Sequence, residues 1–419
     1  MKYNKTKEFA LEQDEKDPLK GYREQFHIPL QDNGEECLYF CGNSLGLQPK
    51  KTGEYVNQEL EDWAKLGVEG HFHAQNPWMP YHEFLTDSFS RIAGAKKEEV
   101  VAMNTLTANL HLMMVSFYRP NKSRYKIVIE ADAFPSDIYA VSSQIQFHGF
   151  DIASSLIKLK PRAGEVAVRT EDIETLMEQE GDAIALIMLG GVNYYTGQVF
   201  DMAAITDMAH KKDIVVGFDL AHAAGNILLN LHEWGVDFAV WCTYKYLNSG
   251  PGSVAGCFVH EKHHKSNLPR FAGWWGHNKE NRFKMPTDYE PIHTAEGWQL
   301  SNPPILSLAA IRASLSIFDE VGMEQLTAKS KQLSAYFSYL LGTIETDRIE
   351  IITPDQRGCQ LSIRVKDSNK ELYDFITKRG VVADWREPDV IRIAPVPLYN
   401  SFIDLHQFYK ILEEAVSSV

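Results

Sequence analysis

Short apolar runs alternate with amphipathic segments through the middle of the chain. The runs are continuously apolar, which is typical of strands that are covered on both faces. Segments 172–179 and 202–211, between them, have the periodicity of helices. This alternation predicts an α/β fold with a mostly parallel sheet and helices on both faces. The predicted strands of this region are 126–130, 184–189, 214–218, 238–242 and 254–259.

The pattern changes after Pro304. Long helical segments come first and are followed by shorter strands and helices, which predicts a smaller α+β unit. A chain of 419 residues is long enough for two domains. We expect residues 39–321 to form the large domain, and residues 1–38 with 322–419 to form the small one. The elements predicted after Pro304 are helices 305–318, 323–343, 372–379 and 402–417 and strands 350–352, 359–365 and 390–393.

Charge and composition narrow the class of protein. The formal net charge of −14 argues against a general nucleic-acid binder and against binding to an anionic membrane surface. The N-terminal segment lacks the apolar core of a signal peptide, and no apolar stretch is long enough to span a bilayer. The five cysteines do not form two ligand pairs, so no metal site is predicted. These features lead us to expect a cytoplasmic protein.

The segment WCTYKYLNSGPG at 241–252 places Lys245 between two tyrosines at the end of a predicted buried strand. The preceding strand ends in the same way, at Asp219. Each residue alone has a simpler interpretation, Asp219 as a helix N-cap and Lys245 as an exposed turn lysine. Together, at neighbouring strand ends, they are the pair that pyridoxal phosphate chemistry requires, because a lysine forms the Schiff base and a carboxylate keeps the pyridine nitrogen protonated.

A phosphate site is predicted where segment 104–109 (NTLTAN) leads into the apolar helical run 110–117. Threonine hydroxyls and free backbone N–H groups at a helix start bind anions. A plain threonine N-cap is the alternative interpretation. The strand predicted at 254–259 follows its neighbour through the short Gly/Pro turn 250–252, which allows an antiparallel direction for this strand.

The residues found so far belong to a longer set of motifs, and with them the chain resembles the kynureninase family over nearly its whole length. This family consists of pyridoxal-phosphate enzymes of fold type I. The resemblance implies a large domain with a mostly parallel seven-stranded sheet between helices, and a smaller α+β C-terminal domain. The motifs that carry it are 39–46 (YFCGNSLG), 134–137 (FPSD), 195–198 (YTGQ), 219–222 (DLAH), 244–248 (YKYLN), 273–277 (GWWGH), 301–304 (SNPP) and 391–399 (IRIAPVPLY).

The resemblance also implies roles around the cofactor. Lys245 is expected to form the Schiff base, and Asp219 to hold the pyridine nitrogen. Asp137 would be a second carboxylate near the cofactor, His222 would bond to the cofactor or position the lysine adduct, and Phe134 would stack on the ring. The residues expected at the phosphate are Leu106, Thr107 and Tyr244.

Further residues are implied around the substrate and the subunit contact. Arg392 would bind the substrate carboxylate, and His71 and Ser301 would line the aromatic end of the pocket. Trp274 and Asn302 would come from the neighbouring subunit, which implies a homodimer with shared active sites. Gly190 departs from the family pattern, since some members have a hydroxyl residue there, so one cofactor contact is in doubt.

The implied reaction is the hydrolysis of L-kynurenine or its 3-hydroxy form to anthranilate or 3-hydroxyanthranilate and L-alanine, by way of a quinonoid and a ketimine. Tyr244 would protonate the alanyl carbon. The residues do not distinguish the two substrates, nor tryptophan breakdown from NAD synthesis. A cysteine desulfurase or selenocysteine lyase is the alternative enzyme, but Cys359 is the only cysteine in the C-terminal part and lies in a strand-like run. An inactive dimeric homologue is disfavoured by the intact Lys245, Asp219 and Arg392.

Overall fold

The computed structural model describes residues 2–366 and 369–418. Its strands form one large sheet, one smaller sheet and one two-stranded pair. The strands are β1 (Leu38–Tyr39), β2 (Val100–Ala102), β3 (Lys126–Glu130), β4 (Leu156–Leu159), β5 (Ile184–Gly190), β6 (Val215–Asp219), β7 (Phe238–Trp241), β8 (Gly256–Val259), β9 (Ile349–Ile351), β10 (Leu361–Val365), β11 (Val381–Val382), β12 (Asp384–Arg386) and β13 (Val390–Ile393).

The large sheet has seven strands in the order β2-β8-β7-β6-β5-β3-β4. Strands β3 to β7 are parallel, and β8 is antiparallel to both of its neighbours. The α/β class, the mostly parallel seven-stranded sheet and the antiparallel direction of the strand after the Gly/Pro turn are therefore confirmed. The register pairs Asp219 at the end of β6 with Val240 in β7, so these two strands end at the same edge of the sheet.

Helices connect the strands and cover both faces of the large sheet. Asp201 accepts a hydrogen bond from Ala204 N and thereby caps the helix that begins at Met202. The α-helices are α1 (Lys7–Lys16), α2 (Thr52–Leu66), α3 (Gly70–His73), α4 (Thr86–Ala93), α5 (Leu106–Phe117), α6 (Pro135–Phe147), α7 (Ile152–Ser155), α8 (Thr170–Glu180), α9 (Met202–His210), α10 (Ile305–Val321), α11 (Met323–Gly342), α12 (Glu371–Lys378) and α13 (Phe402–Ser418).

Strand β5 shows why the apolar runs are continuous. Ile187 and Leu189 belong to the hydrophobic cluster on one face of the sheet, and Leu186 and Met188 belong to the cluster on the other. Successive side chains of a strand point to opposite faces, and here both faces are buried. The continuous apolar run therefore indicates that helices pack on both faces of the sheet. Polar residues are then expected at the ends of the strands.

The C-terminal part forms a separate antiparallel sheet in the order β12-β13-β10-β9. A further hydrophobic cluster covers it and includes Leu333, Leu361 and Leu405. The N-terminal part contributes to the same cluster through Ala10 in α1 and Phe40. Strand β1 also pairs in parallel with β11, so the two ends of the chain share one core.

Among residues 2–366 and 369–418, no helix combines the length and the apolar character that a membrane span requires.

Candidate active site

A cavity opens at the carboxyl ends of β3, β5, β6 and β7, which is where ligands bind in open parallel sheets. Apolar and titratable side chains line it together. The predicted site residues that the structure brings together here are Leu106, Thr107, Phe134, Asp137, Asp219, His222, Tyr244 and Lys245.

Lys245 reaches the cavity from the turn that follows β7. Its Nζ atom lies 2.9 Å from Nε2 of His222 and 5.9 Å from the centroid of the Phe134 ring. The turn is held from both sides, since Gly46 N donates to the Tyr244 carbonyl at 2.8 Å and Asn248 N donates to the Lys245 carbonyl at 3.0 Å. The amine is therefore half-buried and fixed at the wall of the cavity.

Two buried carboxyl groups lie close to each other in the cavity. Asp219 ends β6 and Asp137 lies in the first turn of α6, and the two residues are 8% and 7% exposed. Burial raises the pKa of both carboxyls, and the charge of Asp219 raises the pKa of Asp137 further. Asp219 Oδ1 accepts from Ala221 N at 2.7 Å, whereas Asp137 Oδ1 has no hydrogen-bond partner among the described residues. A protonated nitrogen is the kind of group that such a pair can bind.

His222 lies beside this pair, three residues after Asp219, and is buried. Burial holds its pKa far below the usual value, and the charge of Lys245 lowers it further, so the imidazole is neutral. Its Nε2 faces Lys245, and its Nδ1 is buried without a hydrogen-bond partner in the described part of the chain. A buried polar atom without a partner is costly, so this nitrogen is a second place for a polar ligand group.

Two helices begin at the same end of the cavity. Helix α5 starts at Leu106 without a side-chain cap, and α6 starts at Pro135. Their first turns meet where Thr107 Oγ1 and Ser136 Oγ lie 2.9 Å apart. Free N–H groups at two helix starts and two hydroxyls form a site for an anion such as a phosphate group. Tyr244 also lines this cavity, and burial raises the pKa of its hydroxyl, which keeps it protonated.

Kynureninases are among the chain's relatives. The chain is 56% identical over 410 residues to a kynureninase of Koribacter versatilis, covering 97% of each chain. It is 55% identical over 423 residues to a kynureninase of Flavobacterium psychrophilum, covering 99% of each, and a profile of the kynureninase C-terminal domain matches residues 326–412. The chain belongs to the kynureninase family. The family membership that the sequence motifs predicted is thus confirmed.

Solved structures with the same fold include more distant enzymes. An apo cysteine desulfurase from Thermococcus onnurineus NA1 superposes with a TM-score of 0.78 at 16% identity, over 95% of this chain and 98% of the other. A similarity at this identity concerns the fold alone. Cys359 of this kynureninase-family chain is fully buried, and burial raises its pKa to about 12, so its thiol is not a reactive nucleophile. The desulfurase alternative therefore has no reactive cysteine at this position.

Pyridoxal phosphate suits the residues of the cavity on chemical grounds. Lys245 offers an amine, Asp219 and Asp137 offer buried carboxyls for a pyridine nitrogen, and the starts of α5 and α6 offer an anion site. The unpartnered Asp137 Oδ1 and His222 Nδ1 atoms show that the protein alone does not complete the polar network. Each of these features matches one functional group of this cofactor.

Arg392 lies next to the cavity and does not line it. Its side chain is 1% exposed, its Nη1 donates to the Tyr194 carbonyl at 2.7 Å, and its Nη2 forms an ion pair with Asp384. Tyr194, which does line the cavity, lies between, with its ring centroid 5.9 Å from Arg392 Cζ. The Nε atom of Arg392 has no hydrogen-bond partner among the described residues. The guanidinium is thus positioned close to the cavity with hydrogen-bonding capacity left.

Four predicted residues lie away from the cavity within one chain. His71 lies in the short helix α3, where Nδ1 contacts the Val68 carbonyl at 2.9 Å. Trp274 is 40% exposed, and its Nε1 donates to the Arg282 carbonyl at 3.2 Å. Ser301 and Asn302 are exposed in the loop before α10. A single chain does not bring these four residues together with Lys245.

Four polar lining residues were not predicted as site residues: Glu130, Ser136, Asn193 and Tyr194. Glu130 is a polar residue at the end of an apolar run, the same signal that led to Asp219, so the sequence could have revealed it. Ser136 lies inside the motif FPSD, but its contact with Thr107 depends on how two helix starts meet. Asn193 and Tyr194 belong to a turn after β5 that has no distinctive pattern.

Proposed function

We propose that the chain hydrolyses the Cβ–Cγ bond of L-kynurenine or 3-hydroxy-L-kynurenine and releases L-alanine with anthranilate or 3-hydroxyanthranilate. The observation that carries this proposal is the convergence of Lys245, His222, Asp219 and Asp137 on one cavity of a kynureninase-family chain. The enzyme would be a hydrolase that acts on a carbon–carbon bond. Pyridoxal phosphate, when bound, supplies an aldehyde for an amine and a ring that accepts electrons.

The residues of the cavity divide the binding of this cofactor between them. The Lys245 amine would hold its aldehyde carbon, and Asp219 would keep its ring nitrogen protonated. Phe134 offers an aromatic face for the ring. The phosphate would lie at the starts of α5 and α6, with Leu106 N–H, the Thr107 and Ser136 hydroxyls and the Tyr244 hydroxyl as donors.

Lys245 and Tyr244 are the groups that move protons. The Lys245 amine, once the substrate amine has replaced it, is the base placed to take the substrate Cα proton. The neutral imidazole of His222, 2.9 Å from Nζ, orients this amine. Tyr244 remains protonated because burial raises its pKa, so it can give a proton to the alanyl carbon as the Cβ–Cγ bond breaks. Water supplies the hydroxyl of the aromatic carboxylic acid.

Arg392 would bind the substrate carboxylate. A planar guanidinium suits this role because it forms two parallel hydrogen bonds to a carboxylate. In the structure the guanidinium pairs with Asp384, so binding would exchange part of this ion pair for the substrate. His71, Ser301 and Asn302 would contact the aromatic end of the substrate.

Production of both products tests the proposal. Purified protein with pyridoxal phosphate is incubated with each substrate, and anthranilate fluorescence and alanine are measured in parallel. We expect equal amounts of the two products, no activity in Lys245→Ala, and full activity in the control Lys211→Ala, whose lysine lies on the surface. Alanine and sulfide from L-cysteine with no product from kynurenine would contradict the proposal and support the desulfurase alternative.

A homodimer with shared sites is part of the same proposal. Trp274 and Asn302 are exposed and do not line the cavity of their own chain, as expected of residues that complete a partner's site. The segment around Trp274 also exposes large apolar side chains that a subunit contact would cover: Phe271, Phe283 and Met285.

Subunit mixing tests the sharing. The Lys245→Ala and Asn302→Ala proteins, each nearly inactive alone, are unfolded together and refolded. If sites are shared, mixed dimers contain one site with both native residues, and activity returns. No recovery from mixed dimers that are shown to form would contradict shared sites.

A further inference from the structure

Glu130 is a buried carboxyl group that the proposed reaction does not use. It ends β3, is 4% exposed and lines the same cavity as Asp137 and Asp219. Its Oε2 accepts a hydrogen bond from Gly190 N at 3.0 Å, and the side chain of Asn193 donates another to the carboxylate. A buried carboxylate with these partners is held in one position.

Glu130 lies beside Gly190, the position at which some members of the family have a hydroxyl residue. A Cβ atom built on Gly190 would lie 3.2 Å from Glu130 Oε1 and 3.3 Å from the Val192 carbonyl oxygen. Both distances are tighter than normal van der Waals contact. A side chain at position 190 would therefore press on Glu130 and on the Val192 carbonyl, and these neighbours would have to move by a few tenths of an ångström.

The hydrogen bonds of Glu130 continue into the turn that follows β5. Asn193 Oδ1 accepts from Tyr195 N at 3.0 Å and from Thr196 N at 2.9 Å, so the same side chain that binds Glu130 closes this turn. The Tyr194 carbonyl on its other side accepts from Arg392 Nη1 at 2.7 Å. A continuous set of contacts thus leads from Glu130 through the turn to the guanidinium.

We propose that Glu130 is a positioning residue of the cofactor site, whose carboxylate takes the place of the side chain that Gly190 lacks and fixes turn 190–196 between the cavity and Arg392. This inference rests on the proposed function, because it assumes pyridoxal phosphate in the cavity. Burial and the charge of Asp219 act on the same group and raise its pKa to about 7.

Cofactor affinity of the apoenzyme tests this inference without relying on turnover. Pyridoxal phosphate is titrated into apoenzyme, and quenching of tryptophan fluorescence gives Kd. We expect Glu130→Ala to raise Kd about tenfold or more, the loss typical of a removed charged hydrogen-bond partner, and Glu130→Gln to raise it less. The substrate KM should rise in the same variants, because turn 190–196 also holds Arg392.

Position 190 supplies the decisive comparison. Gly190→Ser alone should weaken cofactor binding, because its side chain contacts Glu130. In the Glu130→Ala background the same change should recover part of the lost affinity, because the space is then free and a hydroxyl returns to it. Glu99→Ala is the matched control: this carboxylate is also buried and also accepts hydrogen bonds from backbone N–H groups, but it lies before β2, away from the cavity. It should lower stability and leave Kd unchanged.

Three results would overturn the inference. These are an unchanged Kd in both Glu130 variants, a harmless Gly190→Ser, and a double variant no better than Glu130→Ala. If Glu130→Ala does not fold, Glu130→Gln and Gly190→Ser decide the question with the same readout. Wild-type apoenzyme that fails to bind pyridoxal phosphate would overturn the proposed function itself, and with it this inference.

Discussion

Asp219 and Asp237 are two buried aspartates of the same sheet whose carboxyls differ in their hydrogen-bond partners and in the direction of their pKa shifts. Asp237 lies immediately before β7 and accepts hydrogen bonds from His210 at 3.0 Å and His263 at 2.7 Å, and it forms an ion pair with Lys262. Burial on its own raises the pKa of Asp237, but these partners outweigh it and hold the pKa far below the usual range. Asp219, at the other edge of the sheet, has a raised pKa.

The difference indicates that Asp237 has a structural role and that Asp219 binds a ligand. Asp237 also accepts from Val216 N at 2.8 Å, so it links β6, β7 and the segment after β8. Asp219 accepts one backbone hydrogen bond and otherwise faces the carboxyl of Asp137. Buried polar groups in proteins are nearly always paired, so an incompletely paired cluster at a ligand-binding edge indicates that its partner is a bound molecule.

The largest effect is expected at Asp219. Asp219→Asn should lower kcat/KM about 10⁴-fold, or about 5 kcal/mol in the barrier, because a neutral amide no longer keeps the cofactor's ring nitrogen protonated. Stability of the apoenzyme should be unchanged or higher, because one of two neighbouring buried carboxyls is removed. Steady-state kinetics and thermal unfolding check the two parts. A variant that keeps its activity would refute the assigned role.

Asp237→Ala should lower stability and leave cofactor binding intact, the reverse of what is expected of Asp219→Asn. Removing this carboxylate leaves Lys262 and two histidines without their buried partner, and we expect a loss of about 3–5 kcal/mol in the free energy of unfolding. Denaturant titration measures the loss. The fraction that remains folded should bind pyridoxal phosphate with normal affinity, so weakened binding in the folded protein would mean that Asp237 also supports the site.

A smaller effect is expected in how apoenzyme stability depends on pH. The folded-state pKa of Glu130, about 7, lies above the ordinary value of 4.5, so the folded protein binds more protons between these values. Stability should therefore fall as pH rises from about 4.5 to 7, by at most about 3 kcal/mol from this group. Asp237 acts with the opposite sign at lower pH, since its depressed pKa contributes stability that is lost on acidification.

Denaturant titrations of the apoenzyme at pH 5 and pH 8 measure this dependence. In Glu130→Gln the decline between the two pH values should be smaller than in the wild type, because the group can no longer titrate. Equal declines in the two proteins would show that Glu130 is not the source.

Much of the fold could be predicted because the large sheet is buried on both faces. Strand β5 forms where its apolar run predicted it, and the polar residues after β6 and β7 marked the site. Short strands such as β2 and β12 were missed, since three residues carry too little pattern. The domain limits at 39–321 remain a prediction.

The features of the site that the sequence did not predict depend on contacts between residues far apart in the chain. The Thr107–Ser136 contact requires two helix starts to meet, and the fit of Glu130 beside Gly190 requires two strand ends to be neighbours. Arg392 was found through its motif, but its ion pair with Asp384 became visible only in the structure.

The attachment point of the cofactor tests the central claim most directly. Pyridoxal phosphate is bound to the apoenzyme, the complex is reduced with borohydride to fix the cofactor to the amine that holds it, and the labelled peptide is identified by mass spectrometry. The account predicts a single pyridoxyl group on Lys245 and none on Lys262, the lysine committed to Asp237. Labelling of another lysine, with Lys245 unmodified, would contradict it.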